Sequence, residues 1–353
     1  MASLTIKGTA IRGISSSVPA DRQSTADLAK VFGAAEVEKI ALGSGVRTRR
    51  VSRPGLCCSD LCYTASESLL KELAWDRESI EALVFVSQSF DYPMPATACI
   101  LQDRLRLSRT CAAFDVPLAC SGYIYGLWIA TSLIATGCKR VLLLAGELGS
   151  RMVSPMDRST APLFGDAGTA TALESDGKAT IHFELGTDGA GYRHLIVPAG
   201  IATARLPHSA QTMIRTERAG GNIRSDEDLY MNGAEMFTFT LREIPQLIKA
   251  ILKRSQWQID DVDYFVFHQA NEFLLVHLAK KIGIPKHKIP LILEYYGNTS
   301  SATIPLAATH ALRQTLEKRK LKLVLTGFGS GLSWGACALE IGPIVVPPLV
   351  EVP

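Results

Sequence analysis

Phe114-Asp115-Val116-Pro117-Leu118-Ala119-Cys120-Ser121-Gly122-Tyr123 runs from a short β-type segment, through a corner of small residues, into an apolar stretch that continues as far as Gly137. The pattern predicts a strand that leaves a sheet and a buried helix that begins at the thiol. Helix amides without intrahelical partners then point toward the sulfur, and the helix dipole favours its thiolate, which is the reactive form. A packed, inert cysteine is the competing reading, since free Cys is among the most buried residue types. This segment alone leaves both open.

Two later segments carry polar residues where an apolar core would exclude them: Phe265-Val266-Phe267-His268-Gln269-Ala270-Asn271 and Tyr296-Gly297-Asn298-Thr299-Ser300. His268 follows an apolar strand-like run, Tyr264 to Phe267, and Asn298 precedes an apolar helical run from Ile304 to Leu312. Cys120, His268 and Asn298 are each expected at the start of a helix.

The order of elements around Cys120 recurs in the second half of the chain. Ile80 to Val86 reads as an apolar strand followed by a helix through Cys99 to Leu105; Val262 to Phe267 is its counterpart, with a helix through Leu274 to Ile282. Phe114 to Cys120 matches Ile292 to Asn298, and the strands Arg140 to Ala145 and Lys322 to Leu325 follow. Phe164-Gly165-Asp166 echoes Phe328-Gly329-Ser330-Gly331, each running into a strand of small and apolar residues. Alternating strands and helices imply α/β sheets covered by helices. Two halves, residues 1–177 carrying Cys120 and 178–353 carrying His268 and Asn298, are expected to stack as a five-layer α/β/α/β/α sandwich. A pseudo-twofold axis between them would bring the three side chains together, with the Gly329-Ser330-Gly331 turn beside them.

Composition supports such a duplicated core. At 353 residues the chain exceeds what one hydrophobic core usually serves, and 47% hydrophobic against 20% charged residues excludes a disordered chain. A net charge of +3 is too weak for a nucleic-acid binder. The short basic clusters Arg47-Thr48-Arg49-Arg50 and Lys318-Arg319-Lys320 read as solvated faces, one of which could meet an acidic carrier protein. The alternating segment Met1 to Val18 reads as a strand, not a signal peptide. Tyr123 to Ala135 is too short to span a bilayer, so a soluble cytoplasmic protein is expected. The eight cysteines then read as free thiols. Cys57-Cys58-Ser59-Asp60-Leu61-Cys62 lacks paired Cys-x-x-Cys units and nearby histidines, which argues against a metal; Ser59 and Asp60 read as a cap for a helix over Tyr63 to Leu73.

Over essentially its whole length the chain resembles β-ketoacyl-acyl carrier protein synthase III, a condensing enzyme of the thiolase superfamily. The resemblance rests on Ala119-Cys120-Ser121-Gly122, His268-Gln269-Ala270-Asn271, Gly297-Asn298-Thr299-Ser300 and Gly327-Phe328-Gly329-Ser330-Gly331-Leu332-Ser333-Trp334-Gly335, in that order. It implies a homodimer and a two-stage reaction. The Cys120 thiolate first attacks an acyl thioester of coenzyme A or a carrier protein, with the backbone amides of Cys120 and Ser330 as oxyanion hole. The family usually has glycine at 330; a main-chain donor survives the change to serine, and its φ is the point to check. A malonyl-acyl carrier protein thioester then loses carbon dioxide, and its carbanion attacks the acyl group while His268 and Asn298 each donate a hydrogen bond to the enolate oxygen. No cofactor beyond these thioester substrates, and no metal, nucleic acid or membrane, is implied.

The chain also departs from the family. Synthases primed by acetyl-coenzyme A clamp the adenine with a tryptophan and an arginine, whose places here hold Lys39 and Gly43. Arg47 and Arg158 remain as contacts for phosphates or adenine, with Asn271 and Phe237 as further substrate contacts, and a carrier-bound donor gains weight. The basic carrier-docking place is Phe273, which leaves Lys280 and Lys281 on the same predicted helix to meet an acidic carrier. Met94 stands where the family reaches an aromatic residue across from the neighbouring subunit to form the pocket floor. Methionine is adaptable, so an acyl group other than acetyl is expected. Trp128 and Phe237 are candidates for the tunnel wall, although aromatic residues at such places are more often core.

Ser330 in place of a second cysteine disfavours a thiolase, and Ser87-Gln88-Ser89 in place of a general-base glutamate disfavours a hydroxymethylglutaryl-coenzyme A synthase. Gly327-x-Gly329-x-Gly331 lacks the spacing of a dinucleotide fingerprint. The alternative that stays open keeps the acyl-Cys120 intermediate but passes the acyl group to a hydroxyl or amine without decarboxylation, with His268 as general base.

Overall fold

The structure, a computed structural model, describes residues 1–200 and 205–353. Eight strands carry the argument: β1 (Ala2–Pro19), β2 (Ala82–Val86), β3 (Ala112–Val116), β4 (Arg140–Leu148), β5 (Asp166–Thr187), β6 (Tyr264–Phe267), β7 (Leu321–Gly329) and β8 (Ser333–Ile341). β2 lies parallel to β3 and β4, β4 antiparallel to β5, and β5 antiparallel to β1. The second half repeats that order and sense: β6 is parallel to β7, β7 antiparallel to β8, and β8 antiparallel to the Ile181–Thr187 end of β5. β5 and β1 therefore each serve both halves. They change halves together where their register shifts between Lys7 and Thr9, at Gly8 (φ +82°) and Gly177 (φ +73°), the left-handed conformation that only glycine adopts without strain.

Side chains alternate across these strands and sort the helices into layers. Ala82, Val84 and Val86 of β2 and Leu321, Leu323 and Leu325 of β7 pack into one inner cluster with helices Gly122–Ala135 and Thr303–Ala311. Leu83 and Phe85 face the opposite way, against helices Cys58–Leu73 and Thr97–Arg104. Phe265, Phe267 and Val324 face helices Gly233–Ser255 and Glu272–Ile282. The result is the thiolase-like α/β/α/β/α sandwich. The helix after Cys120 is apolar nearly all round because sheets flank it on both sides. It sits close to β2: a Cβ on Gly122 or Gly126 would come within 2.6 and 2.7 Å of the Val86 methyl carbons.

Local details correct the sequence reading in three places. The helix expected over Tyr63 to Leu73 begins at Cys58, and Asp60 caps it from within, its carboxylate accepting from the Cys57 N–H at 2.7 Å. Ile292 to Asn298 is not a strand matching β3; Leu293–Tyr296 forms a single helical turn there. His268 does not start a helix. Asn271 caps the next one, its side chain accepting from the Leu274 N–H at 2.8 Å, while a Ser300–Ala302 turn separates Asn298 from its helix. No helix among the described residues is long and apolar enough to cross a membrane.

Candidate active site

Cys120 sits in the corner between β3 and its helix, with Ser121 as the flanking residue of Gly122–Ala135. His268 leaves the end of β6, held by its N–H donating to the Thr326 carbonyl of β7 at 2.7 Å. Asn298 is reached through Gly297 (φ +66°) and lies against Leu163-Phe164-Gly165, donating its N–H to the Leu163 carbonyl at 2.8 Å and receiving the Gly165 N–H at 3.0 Å. All three are buried. They line one cavity of about 120 Å³, together with Met236, Phe237, Asn271 and Phe273.

Cys120 also borders a second cavity, of about 670 Å³, walled by Pro117, Leu118, Tyr192 and Ile196 and by the polar residues Glu147, Ser300 and Ser330. The thiol thus stands between a narrow channel holding His268 and Asn298 and a roomy, mainly apolar chamber. The closeness of the Gly327-to-Gly331 loop depends on missing side chains: a Cβ at Gly329 would lie 2.6 Å from Cys120 Cβ and 3.1 Å from its Sγ. Among the described residues, no backbone carbonyl takes up the N–H of Cys120 or of Ser330. Ser330 itself avoids positive φ; its neighbour Gly331 takes +133°.

Burial dominates the electrostatics. It pushes the Cys120 thiol up to about 12, with the Ser300 hydroxyl at 3.7 Å and the Cys120 N–H acting the other way. It pushes His268 down to about 3, so the imidazole is neutral. His268 Nδ1 lies 2.8 Å from the Thr303 hydroxyl, which itself donates to the Ser300 carbonyl at 2.9 Å, and the Ser300 backbone also bonds the ring. The Asn298 side chain is oriented by its Oδ1, which accepts the Ser300 N–H at 2.9 Å, so its NH₂ remains to donate.

The other residues singled out from the sequence divide. Phe237 and Asn271 line the channel, although the Asn271 carbonyl is committed to its helix cap. Arg47 and Arg158 do not line either cavity; Arg47 pairs with Glu38 at 2.7 Å, and Arg158 bonds the Gly220 carbonyl. Lys280 and Lys281 lie exposed on Glu272–Ile282, and Lys281 donates to the Leu241 carbonyl at 2.8 Å. Met94 is 86% exposed, at the tip of a loop with Phe90 and Tyr92. Trp128 lines neither cavity and packs against the inner core, edge-on to Tyr125.

The sequence reading missed Ser300, Thr303 and Glu147. Ser300 lay in the Gly297-Asn298-Thr299-Ser300 motif without a role. Glu147 had a visible signal, a lone acid near the end of the apolar run Val141 to Leu148. Thr303 had none, because only folding sets it against a histidine 35 positions away.

Residues 114–189 match the family described as 3-oxoacyl-[acyl-carrier-protein] synthase III, and residues 252–341 its C-terminal portion. A β-ketoacyl-[acyl-carrier-protein] synthase III of Symbiobacterium thermophilum is 35% identical over 96% of this chain and 99% of its own. The crystal structure of a 3-oxoacyl-(acyl-carrier protein) synthase from Burkholderia xenovorans LB400 superposes with a TM-score of 0.93 at 43% identity, covering 99% of each chain. A synthase III from Pseudomonas aeruginosa PAO1 gives 0.81 at 30%, over 96% of this chain and all of that one. With identity of this order along its full length, and with the thiol, imidazole and carboxamide gathered on one cavity, the chain belongs to the 3-oxoacyl-[acyl-carrier-protein] synthase III family of condensing acyltransferases.

Proposed function

We propose that Cys120 takes an acyl group from a coenzyme A or carrier-protein thioester and that the acyl-enzyme then condenses with a malonyl-acyl carrier protein. The observation that carries this reading is the position of Cys120 between the two cavities. The channel with His268 and Asn298 suits the malonyl thioester, and the chamber suits the acyl chain. The amides of Cys120 and Ser330 serve as the oxyanion hole. His268 and Asn298 receive the enolate oxygen; for His268 this requires the Thr303 hydroxyl to turn its proton from the Ser300 carbonyl, 2.9 Å away, to Nδ1, so that Nε2 carries its own. A neutral imidazole fits a donor that keeps its proton.

A chamber of about 670 Å³ in the single subunit leaves room for an acyl chain longer or more branched than acetyl. The exposed Phe90-Tyr92-Met94 loop fits a homodimer in which each subunit closes the other's chamber. Lys280 and Lys281 are the cations that an acidic carrier would meet beside the channel, and Arg47 and Arg158 those for the phosphates of coenzyme A. A cytoplasmic location fits these substrates.

The test is intact-protein mass after incubation with a panel of acyl-coenzyme A and acyl-carrier thioesters, with Cys120→Ala beside it and malonyl-carrier added second. A mass gain that is absent in the variant and is discharged by malonyl-carrier with release of carbon dioxide supports the reading. Loading that only a hydroxyl or amine acceptor discharges would favour acyl transfer without decarboxylation.

A further inference from the structure

Glu147 is the last residue but one of β4, is the acid in its otherwise uncharged run from Val141 to Leu148, is buried, and makes no ion pair among the described residues. Its partners are neutral donors: the Ser87 hydroxyl at 3.3 Å, the Gln88 N–H at 3.2 Å and the Ser89 hydroxyl at 2.5 Å. A buried carboxyl with no cation beside it costs stability, and such groups gather at functional sites. It borders the chamber beside Cys120 and Ser300. The Ser300 hydroxyl interacts with the Glu147 carboxyl on one side and lies 3.7 Å from Cys120 Sγ on the other.

Ser300 is held in a conformation that L-residues rarely adopt, φ +52°, by donating its N–H to Asn298 Oδ1. Such strain persists only where the surroundings enforce it, and here it sets a hydroxyl beside the thiol, on the chamber that both share with the Glu147 carboxyl.

We propose that Glu147 is the proton acceptor for Cys120, reached through the Ser300 hydroxyl. On loading, the thiol proton passes to Ser300 and the Ser300 proton to the Glu147 carboxylate. The sulfur forms its bond to the acyl carbon, and the carbon–sulfur bond of the donor thioester breaks, its thiolate taking a proton from solvent. On condensation the new carbon–carbon bond expels Cys120 as thiolate, and the stored proton returns from Glu147 through Ser300. One solvent proton is consumed per turnover, as decarboxylation of a malonate requires.

The alternative acceptor, His268, is unsuited: burial holds it at about 3 and Nδ1 is committed to Thr303. Glu147 is raised by burial to about 7, where a carboxylate is both available and basic. The other titratable groups around it are few. Cys58 is joined to it through Ser87 at 3.6 Å, and Arg151 and Glu227 line the same chamber.

Glu147 acts through Ser300 and is therefore a positioning residue. The proposal takes its substrates from the condensing reading, so the experiment uses iodoacetamide, which needs no acyl donor. The rate of Cys120 alkylation is followed against pH by intact mass in the wild type, Glu147→Gln, Glu147→Asp and Ser300→Ala, with circular dichroism confirming the fold. In the wild type the rate should rise to a plateau with a break near pH 7. In Glu147→Gln and Ser300→Ala the break should disappear and the rate above it should fall about 10²-fold, with partial recovery in Glu147→Asp.

Removing a neighbouring negative charge would by itself favour the thiolate. Alkylation in Glu147→Gln as fast as or faster than the wild type at every pH would therefore overturn the relay, as would an unchanged break in Ser300→Ala. A wild type that shows the break but loads no thioester supports the relay while refuting the condensing reading.

Discussion

The Ser300 N–H donates to Asn298 Oδ1 at 2.9 Å. This bond assigns the two ends of the Asn298 carboxamide, spending the carbonyl on the backbone and leaving the NH₂ for a developing oxyanion. Asn298→Asp keeps the acceptor and loses the donor. Condensation with malonyl-carrier should fall about 10²- to 10³-fold while acyl loading of Cys120 persists. Release of carbon dioxide and intact mass, measured on the same sample, separate the two stages.

Thr303 sets the His268 ring by its 2.8 Å contact with Nδ1. In Thr303→Val, a near-isosteric change, Nδ1 loses its partner and the proton distribution between the ring nitrogens is no longer dictated. Condensation should drop by about tenfold or more, and Thr303→Ser should restore most of it. A Val variant with unaltered condensation would show that the contact is only structural.

At Gly329 the added methyl of an alanine would meet Cys120 Cβ at 2.6 Å. Either the loop withdraws from the thiol or the Cys120 corner shifts, and in both cases the amide of residue 330 leaves its place. Gly329→Ala should abolish acyl loading and cost about 1–3 kcal/mol of stability, as overpacking does. Thermal unfolding beside the loading assay checks both.

Two buried groups tie stability to pH in opposite senses. Glu147 is raised from 4.5 to about 7, so the folded state holds the extra proton between these values and loses stability as pH rises through 7. His268 is lowered from 6.5 to about 3, so the unfolded state binds more protons there and stability is lost as pH falls below 6.5. Glu147→Gln should therefore melt higher than the wild type above pH 7 and lose that advantage near pH 4.5. Equal differences in melting temperature at both values would contradict this.

Much of the fold was legible because strands buried on both faces must be continuously apolar, as Ala82–Val86 and Leu323–Leu325 are, and because the same order of elements recurs in both halves. Cys120, His268 and Asn298 were legible as polar or reactive residues at the ends of such runs, where a core would reject them. Ile292 to Asn298 misled, since a short apolar run does not by itself distinguish a strand from a helical turn.

What only the tertiary structure decided is which neighbours these residues have. Ser300 and Cys120 are 180 positions apart, and Glu147 reaches the same chamber from β4. Their contact arises from stacking one half against the other, and burial there moves a thiol to about 12, a carboxyl to about 7 and an imidazole to about 3. Residue types and their spacing determine which elements form and which groups are chemically able. Desolvation and distance set protonation and partnership, and those exist only once the halves are packed together.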